Sequence, residues 1–131
     1  MTDVLVAGGG LIGLSVAWRS AQRGLSVTVV DDAPGTGASR AAAGMLAPVT
    51  EAAYGEEPLL RLCVASLRAY PAFVAEVERA GGVEVGLRTA GTLVIGFDAD
   101  DMRALDALQA FQRELGLEVE RLPSREVRRR E

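Results

Sequence analysis

Gly8, Gly10 and Gly13 stand in the spacing G-x-G-x-x-G directly after a short apolar run, Val4 to Ala7. That placement restricts the fold more than any other feature of the chain. A short apolar run that stops at glycine reads as a buried strand. Leu11 to Gln22 then reads as a helix, with Leu14, Ala17, Trp18 and Ala21 along one face and Gly24 ending it. Val27 to Val30 is a second β-branched strand, closed by Asp31 and Asp32. Strand, helix and strand together fill about 30 residues, the size of one βαβ unit. Such a crossover makes its two strands parallel and its connection right-handed.

The three glycines have separate physical tasks in that context. Gly8 permits the tight turn from strand to helix, Gly10 lets a pyrophosphate approach the backbone, and Gly13 lets the helix pack on the strand. The first helical turn, with Leu11 and Ile12, offers unpaired N–H groups and the positive end of the helix dipole to phosphate. An acid at the end of the second strand can accept hydrogen bonds from a ribose 2′-hydroxyl, and it repels a 2′-phosphate. Asp31 is the expected ribose ligand and Asp32 the alternative, a choice that depends on strand register. A glycine-rich turn alone would be a weak signal. Here the strand before it, the helix after it and the acid-terminated second strand complete a dinucleotide-binding reading. NAD and FAD both remain open at this point.

Composition narrows the chemistry further. The chain has 131 residues with a net charge of −4, enough for a domain-sized core and without the basic footprint of a nucleic-acid or anionic-lipid binder. Basic residues cluster only in the short tail from Arg125, which reads as a solvated helix face. Histidine is absent, so no zinc set with histidine, histidine base or Ser–His pair can form from these residues. Cys63, the single cysteine, cannot form an internal disulfide, and a cytoplasmic location fits. Its apolar neighbours Leu60, Leu62 and Val64 make it a small buried hydrophobe. Val4 to Trp18 is uncharged, but Asp3 precedes it, glycines interrupt it, and it falls short of the roughly 20 residues a membrane span needs.

Beyond Asp32 the pattern changes. Ala33 to Thr50 is rich in Gly, Ala, Ser and Pro, and irregular segments of that length usually carry function. Glu57 to Arg79 has helical spacing, with Pro71 predicting a kink or break near Tyr70 and Gly81 and Gly82 closing the helix. Val83 to Phe97 reads as β with a turn near Ala90 and Gly91. Asp98 or Asp100 should cap a helix lined by Met102, Leu105, Leu108, Phe111 and Leu115, stopped by Gly116. The aspartates there lack a calcium-loop pattern, and no metal site is expected. Glu118 to Leu122 alternates like a half-exposed strand, and Ser124 could cap a last helix. The expected fold class is α/β. Residues 1–82 would form a Rossmann-type βαβ domain and residues 83–131 the start of an antiparallel α+β domain.

Two further stretches carry a family resemblance. Thr36 to Pro48, containing Ser39-Arg40-Ala41-Ala42-Ala43-Gly44-Met45-Leu46-Ala47-Pro48, resembles the flavin-wrapping loop of the D-amino-acid-oxidase superfamily, above all its glycine-oxidase branch. Arg88 to Ile95 is similar to that superfamily's first substrate-domain strands, and Leu115 to Leu122 fits as well. The resemblance covers essentially the whole chain and implies FAD as the cofactor. It places Gly8, Gly10, Leu11, Ile12 and Gly13 at the pyrophosphate, and Asp31 or Asp32 at the adenosine ribose. Family members more often carry Glu at position 31, so the shorter carboxylate must come closer. Ser39 and Arg40 would lie near the diphosphate or ribityl chain, although many relatives have an aromatic at position 40. Ala42, Ala43 and Gly44 would lie against the flavin, and Met45 and Ala47 would border the substrate pocket. Small residues there allow the backbone to approach a flat ring.

The implied reaction is oxidation of glycine or a related small amino acid or amine to an imine, with dioxygen giving hydrogen peroxide. For the glycine-oxidase branch this places the chain in thiamine thiazole synthesis. Sarcosine and D-amino acids are the alternative substrates, and an inactive FAD-binding fragment is the non-catalytic alternative. No protein acid or base is needed, so no catalytic residue is expected within the chain. The family holds the substrate carboxylate with an arginine and a tyrosine from a later domain. These residues would therefore be roughly the first third of a complete enzyme. Neither nucleic acid nor membrane is an expected partner, and a homo-oligomer of the full-length protein stays open.

Overall fold

A computed structural model of the chain describes residues 1–130. They form two compact units, Met1–Met45 and the residues from Leu46 onward.

In the first unit, β1 (Val4–Ala7), α1 (Leu11–Gln22) and β2 (Val27–Val30) fall where the apolar pattern put them. β1 and β2 pair in parallel, with Val4 opposite Val27, Leu5 opposite Thr28, Val6 opposite Val29 and Ala7 opposite Val30. The crossover through α1 is the Rossmann-type arrangement expected of this α/β pattern. Val6 faces α1, because a Cβ placed on Gly13 would lie 3.3 Å from Val6 Cγ1. Strand alternation then puts Val4, Val27 and Val29 on the same side. Leu5 and Val30 occupy the opposite face and are 68% and 58% exposed. A parallel sheet is ordinarily covered on both faces. A short helix, α2 (Ala38–Ala41), interrupts the segment expected to be irregular.

The second unit is helical: α3 (Glu57–Gly81), α4 (Ala99–Glu114) and α5 (Ser124–Arg130). Of the kink or break expected near Tyr70, the break does not occur, and α3 is continuous through Pro71. Proline deletes one N–H donor, and the bonds of the turns on either side keep the helix together. Gly82 closes α3, donating its N–H to Glu78 O at 2.8 Å. Asp98, not Asp100, caps α4, its carboxylate accepting from Asp100 N at 2.8 Å and Asp101 N at 2.9 Å. Leu60, Val74 and Phe111 are the buried apolar residues of this unit. Gln112 is buried with them and donates to Val49 O at 2.7 Å. By length and composition α3 could cross a membrane. Arg61, Arg68 and Glu76 punctuate it, and charges at bilayer depth are costly.

Val83 to Phe97 and Glu118 to Leu122 correct the sequence reading. Both were expected as strands, the first opening an antiparallel region, and neither is a strand. Extended backbone becomes a strand only through a hydrogen-bonded neighbour. Among the described residues the single sheet is β1–β2, so these segments have no ladder to join. Side chains take some of their donors instead. Glu78 Oε1 accepts from Val85 N and Asp101 Oδ2 from Phe97 N, both at 2.8 Å. Val83, Val85, Val94 and Ile95 remain exposed, and Phe97 is 90% exposed.

Candidate functional site

The glycine turn joins β1 to α1, and the residue types follow from its geometry. Gly8 has φ +105°, a conformation that residues with a Cβ rarely adopt, and its N–H is held by Val30 O at 2.9 Å. Gly13 is excluded from carrying a side chain for a different reason. A Cβ there would overlap Gly8 O and stand 3.1 Å from Gly8 C. Gly10 is the N-cap of α1 and makes no side-chain cap bond, and no acid occupies the first turn. The first-turn N–H groups therefore meet no competing carboxylate on their own helix.

Gly9 was missed by the sequence reading. A Cβ on Gly9 would lie 3.0 Å from Pro34 Cβ and 3.1 Å from Asp31 Cβ. Its N–H donates to Asp31 Oδ2 at 2.5 Å, and its carbonyl accepts from Gly35 N at 3.0 Å. The run Gly8-Gly9-Gly10 held the signal, since the motif itself requires only the outer two. The other oxygen of Asp31 accepts from Ala33 N at 2.7 Å. These two backbone donors, Gly9 first and Ala33 second, hold the Asp31 carboxyl below its ordinary value. Asp31 is thus the acid turned toward the glycine turn through its bond to Gly9 N, and both Asp31 and Asp32 are exposed.

Ser39 comes back to the same place. Its Oγ accepts from Leu11 N at 2.9 Å and would lie 3.1 Å from a Cβ on Gly10. Gly8, Gly10, Leu11, Gly13, Asp31 and Ser39 are therefore brought together around the start of α1. Leu11 and Ile12 direct their side chains to solvent, so only their backbone belongs to this cluster. Arg40, Ala42, Ala43 and Gly44 follow on and just after α2, all exposed. Gly44 has φ +77°, so glycine is required there by the backbone itself. Met45 is 72% exposed at the end of this unit. Ala47 belongs to the second unit, where its carbonyl accepts from Thr50 Oγ1 at 3.1 Å. Among the described residues no metal-binding cluster forms.

The residues fit a flavin dinucleotide by construction of the turn. A diphosphate needs closely approachable backbone donors, which Gly10 and the first turn of α1 present. A ribose needs a fixed acceptor at the β2 end. Each Asp31 oxygen carries two lone pairs and spends one on a backbone N–H, so capacity remains.

Comparison with known proteins agrees with this geometry. Residues 3–131 match the DAO family, described as FAD dependent oxidoreductase. A bifunctional protein ThiO/ThiG of Synechocystis sp. is 42% identical over 100 residues, 75% of this chain and 15% of the relative. A glycine oxidase of Geobacillus kaustophilus is 31% identical over 126 residues, 95% of this chain and 33% of that enzyme. A component of the opine oxidase of Rhizobium meliloti is 30% identical over 104 residues, 79% of this chain and 28% of the relative. The chain thus spans a third or less of the length of these relatives. The match from residue 3 onward and the glycine turn together show that the chain belongs to the DAO family of FAD-dependent oxidoreductases.

Proposed function

We propose that these residues are the FAD-binding amino-terminal part of an oxidase acting on glycine or a similarly small amine, serving thiamine thiazole synthesis in the cytoplasm. The observation carrying this reading is the Gly8–Gly13 turn with Asp31 and Ser39 fastened to it, followed directly by Ala41-Ala42-Ala43-Gly44-Met45. The name of the Geobacillus relative, a glycine oxidase, supports the glycine assignment. That of a Rhizobium etli relative, ThiO, 48% identical over 61 residues, refers to thiamine biosynthesis and supports the thiamine assignment. The opine oxidase relative favours a second reading, another amine substrate of the same family, with sarcosine and D-amino acids as the alternatives to compare.

Within this reading the chain's own residues divide the work. Gly10 and the first-turn N–H groups of α1 that Ser39 leaves open, those of Ile12 and Gly13, would bind the diphosphate. Asp31 orients the adenosine ribose, with Asp32 beside it. Ser39 and Arg40 lie along the diphosphate and ribityl chain. Ala43 and Gly44 would bring backbone N–H groups to the ring edge, Ala42, whose own N–H is bonded to Ala38 O, would lie against the flavin, and apolar Met45 and Ala47 would border the substrate pocket. Bound FAD would supply the two-electron acceptor that takes hydride from the substrate α-carbon and returns the electrons to dioxygen. Residues 1–82 would constitute the FAD-binding portion and residues 83–131 the beginning of the substrate domain. The extended segments of the latter would acquire strand partners from residues outside this chain.

The test is turnover by the whole protein. Flavin absorbance together with peroxide release should be greatest with glycine among glycine, sarcosine and D-alanine. A protein that purifies without flavin and binds NAD would refute the oxidase reading. Higher kcat/KM with sarcosine or D-alanine would replace glycine as the substrate.

A further inference from the structure

The segment from Ala33 to Met45 is tied unevenly to the βαβ unit. Its first residues are sewn down closely. Asp31 bonds Gly9 N and Ala33 N, Gly35 N bonds Gly9 O at 3.0 Å, and Pro34 packs against Gly9. Beyond Gly35 the backbone bonds are local, Arg40 N to Gly37 O and Ala42 N to Ala38 O, both at 3.0 Å. Among the described residues, the bond nearest Ala42–Met45 that returns to α1 is Leu11 N to Ser39 Oγ, at 2.9 Å. It spans 28 residues of sequence and serves both partners. Gly10, the sequence-local cap position, has no side chain, so the α1 N-terminus takes its side-chain cap from Ser39.

We propose that Ser39 is a positioning residue, a latch that fixes the segment carrying Ala42–Met45 to the start of α1. This rests on the reading of these residues as an FAD site. The latch makes the order of the flavin-side segment depend on a bond to the glycine turn. When the bond opens, the segment remains anchored through Thr36, which donates to Ala33 O, and is free from Gly37 onward. FAD then meets a binding-competent segment only part of the time, and its apparent affinity falls by that fraction. A ligand that ends at the diphosphate does not use Ala42–Met45 and escapes this loss. The latch therefore acts more on the flavin half than on the adenosine half, unlike a simple phosphate contact, which would weaken both equally.

The experiment uses the whole protein with Ser39→Ala, Ser39→Thr and Ser39→Asp. Amide hydrogen exchange is followed at Leu11 and residues 40–45, and FAD and ADP are titrated separately. Ser39→Ala should accelerate exchange at Leu11 and along 40–45 by roughly threefold to tenfold, the worth of one net hydrogen bond, with Val27–Val30 unchanged. FAD affinity should fall by at most the same factor, through the smaller binding-competent fraction, and ADP affinity by less. Ser39→Thr, which keeps the hydroxyl, should restore both. Ser39→Asp should keep the slow exchange, since a carboxylate also caps, while weakening both ligands through charge repulsion. Unchanged exchange at Leu11 in Ser39→Ala, or equal losses for FAD and ADP, overturns the latch. If the unsubstituted protein binds neither ligand, the proposed function fails, and the exchange data still decide whether the latch exists.

Discussion

An alanine at Gly13 would place its methyl group inside the van der Waals envelope of the Gly8 carbonyl oxygen, 3.1 Å from Gly8 C and 3.3 Å from Val6 Cγ1. Ordinary carbon contacts begin near 3.5 Å, so the turn must open by more than about 1 Å. Neither side gives way easily. The Gly8 carbonyl is backbone, and Gly8 N is bonded to Val30 O at 2.9 Å, which ties the turn to β2. α1 would have to lift from the sheet, withdrawing Ala17, the buried residue of that helix. Overpacking usually costs 1–3 kcal/mol, and a clash with fixed backbone belongs at the top of that range, about 3 kcal/mol. That corresponds to more than a hundredfold in the folded-to-unfolded ratio. Moving the first turn also takes its N–H groups out of hydrogen-bond reach of a diphosphate. The assay is urea denaturation of the whole protein together with flavin content by absorbance. Gly10→Ala is the comparison, because its methyl would meet only Ser39 Oγ, at 3.1 Å, and a hydroxyl can rotate away for about 1 kcal/mol. Gly13→Ala with an unchanged midpoint and full flavin content would refute the reasoning about the turn.

Gly10→Val should fold yet lose flavin retention, since its branched side chain fills the space in front of the α1 N-terminus; unchanged flavin absorbance in the purified variant would contradict this. Asp31 titrates below its ordinary value of 3.8, so its contribution is fully present above that value and disappears as pH falls through the lower folded-state pKa. Denaturation midpoints measured across that acid range should drop less in Asp31→Asn than in the unsubstituted protein, and equal drops would show that the Gly9 and Ala33 bonds contribute nothing. Asp98→Ala removes the α4 cap and should cost about 1 kcal/mol, read as a lower denaturation midpoint. Residues 1–131 expressed alone should release no peroxide from glycine, sarcosine or D-alanine and should bind a hydrophobic dye through exposed residues such as Leu5, Val30 and Phe97. Sustained peroxide release with stoichiometric FAD would show instead that these residues suffice.

Local chemistry made the first unit legible. Val4–Ala7, Leu11–Gln22 and Val27–Val30 could be bounded from residues alone, because glycines and aspartates punctuate each element and the crossover has one permitted hand. The glycine stop of α3 and, to within the choice of Asp98 or Asp100, the cap of α4 were legible for the same reason: they satisfy donors and acceptors a few residues away. Val83–Phe97 was misread because β propensity reports a suitability for pairing, and the two halves about Ala90 and Gly91 pair neither with each other nor with β1–β2. At Pro71 the structure excludes a break, since a single lost donor is outweighed when the turns on both sides persist.

At the candidate site the sequence by itself determined the glycine turn and the acid at the end of β2, because those features act between near neighbours. The family came from the resemblance carried by Thr36 to Pro48 and Arg88 to Ile95. Only the tertiary structure decided that Asp31 rather than Asp32 turns to the glycines, that Pro34 and Asp31 crowd Gly9, and that Ser39 caps a helix far from it in sequence. Those outcomes depend on how Ala33–Met45 folds back across the start of α1. A hydrogen bond spanning 28 residues follows from the path of the chain between its partners, which no spacing of residue types encodes.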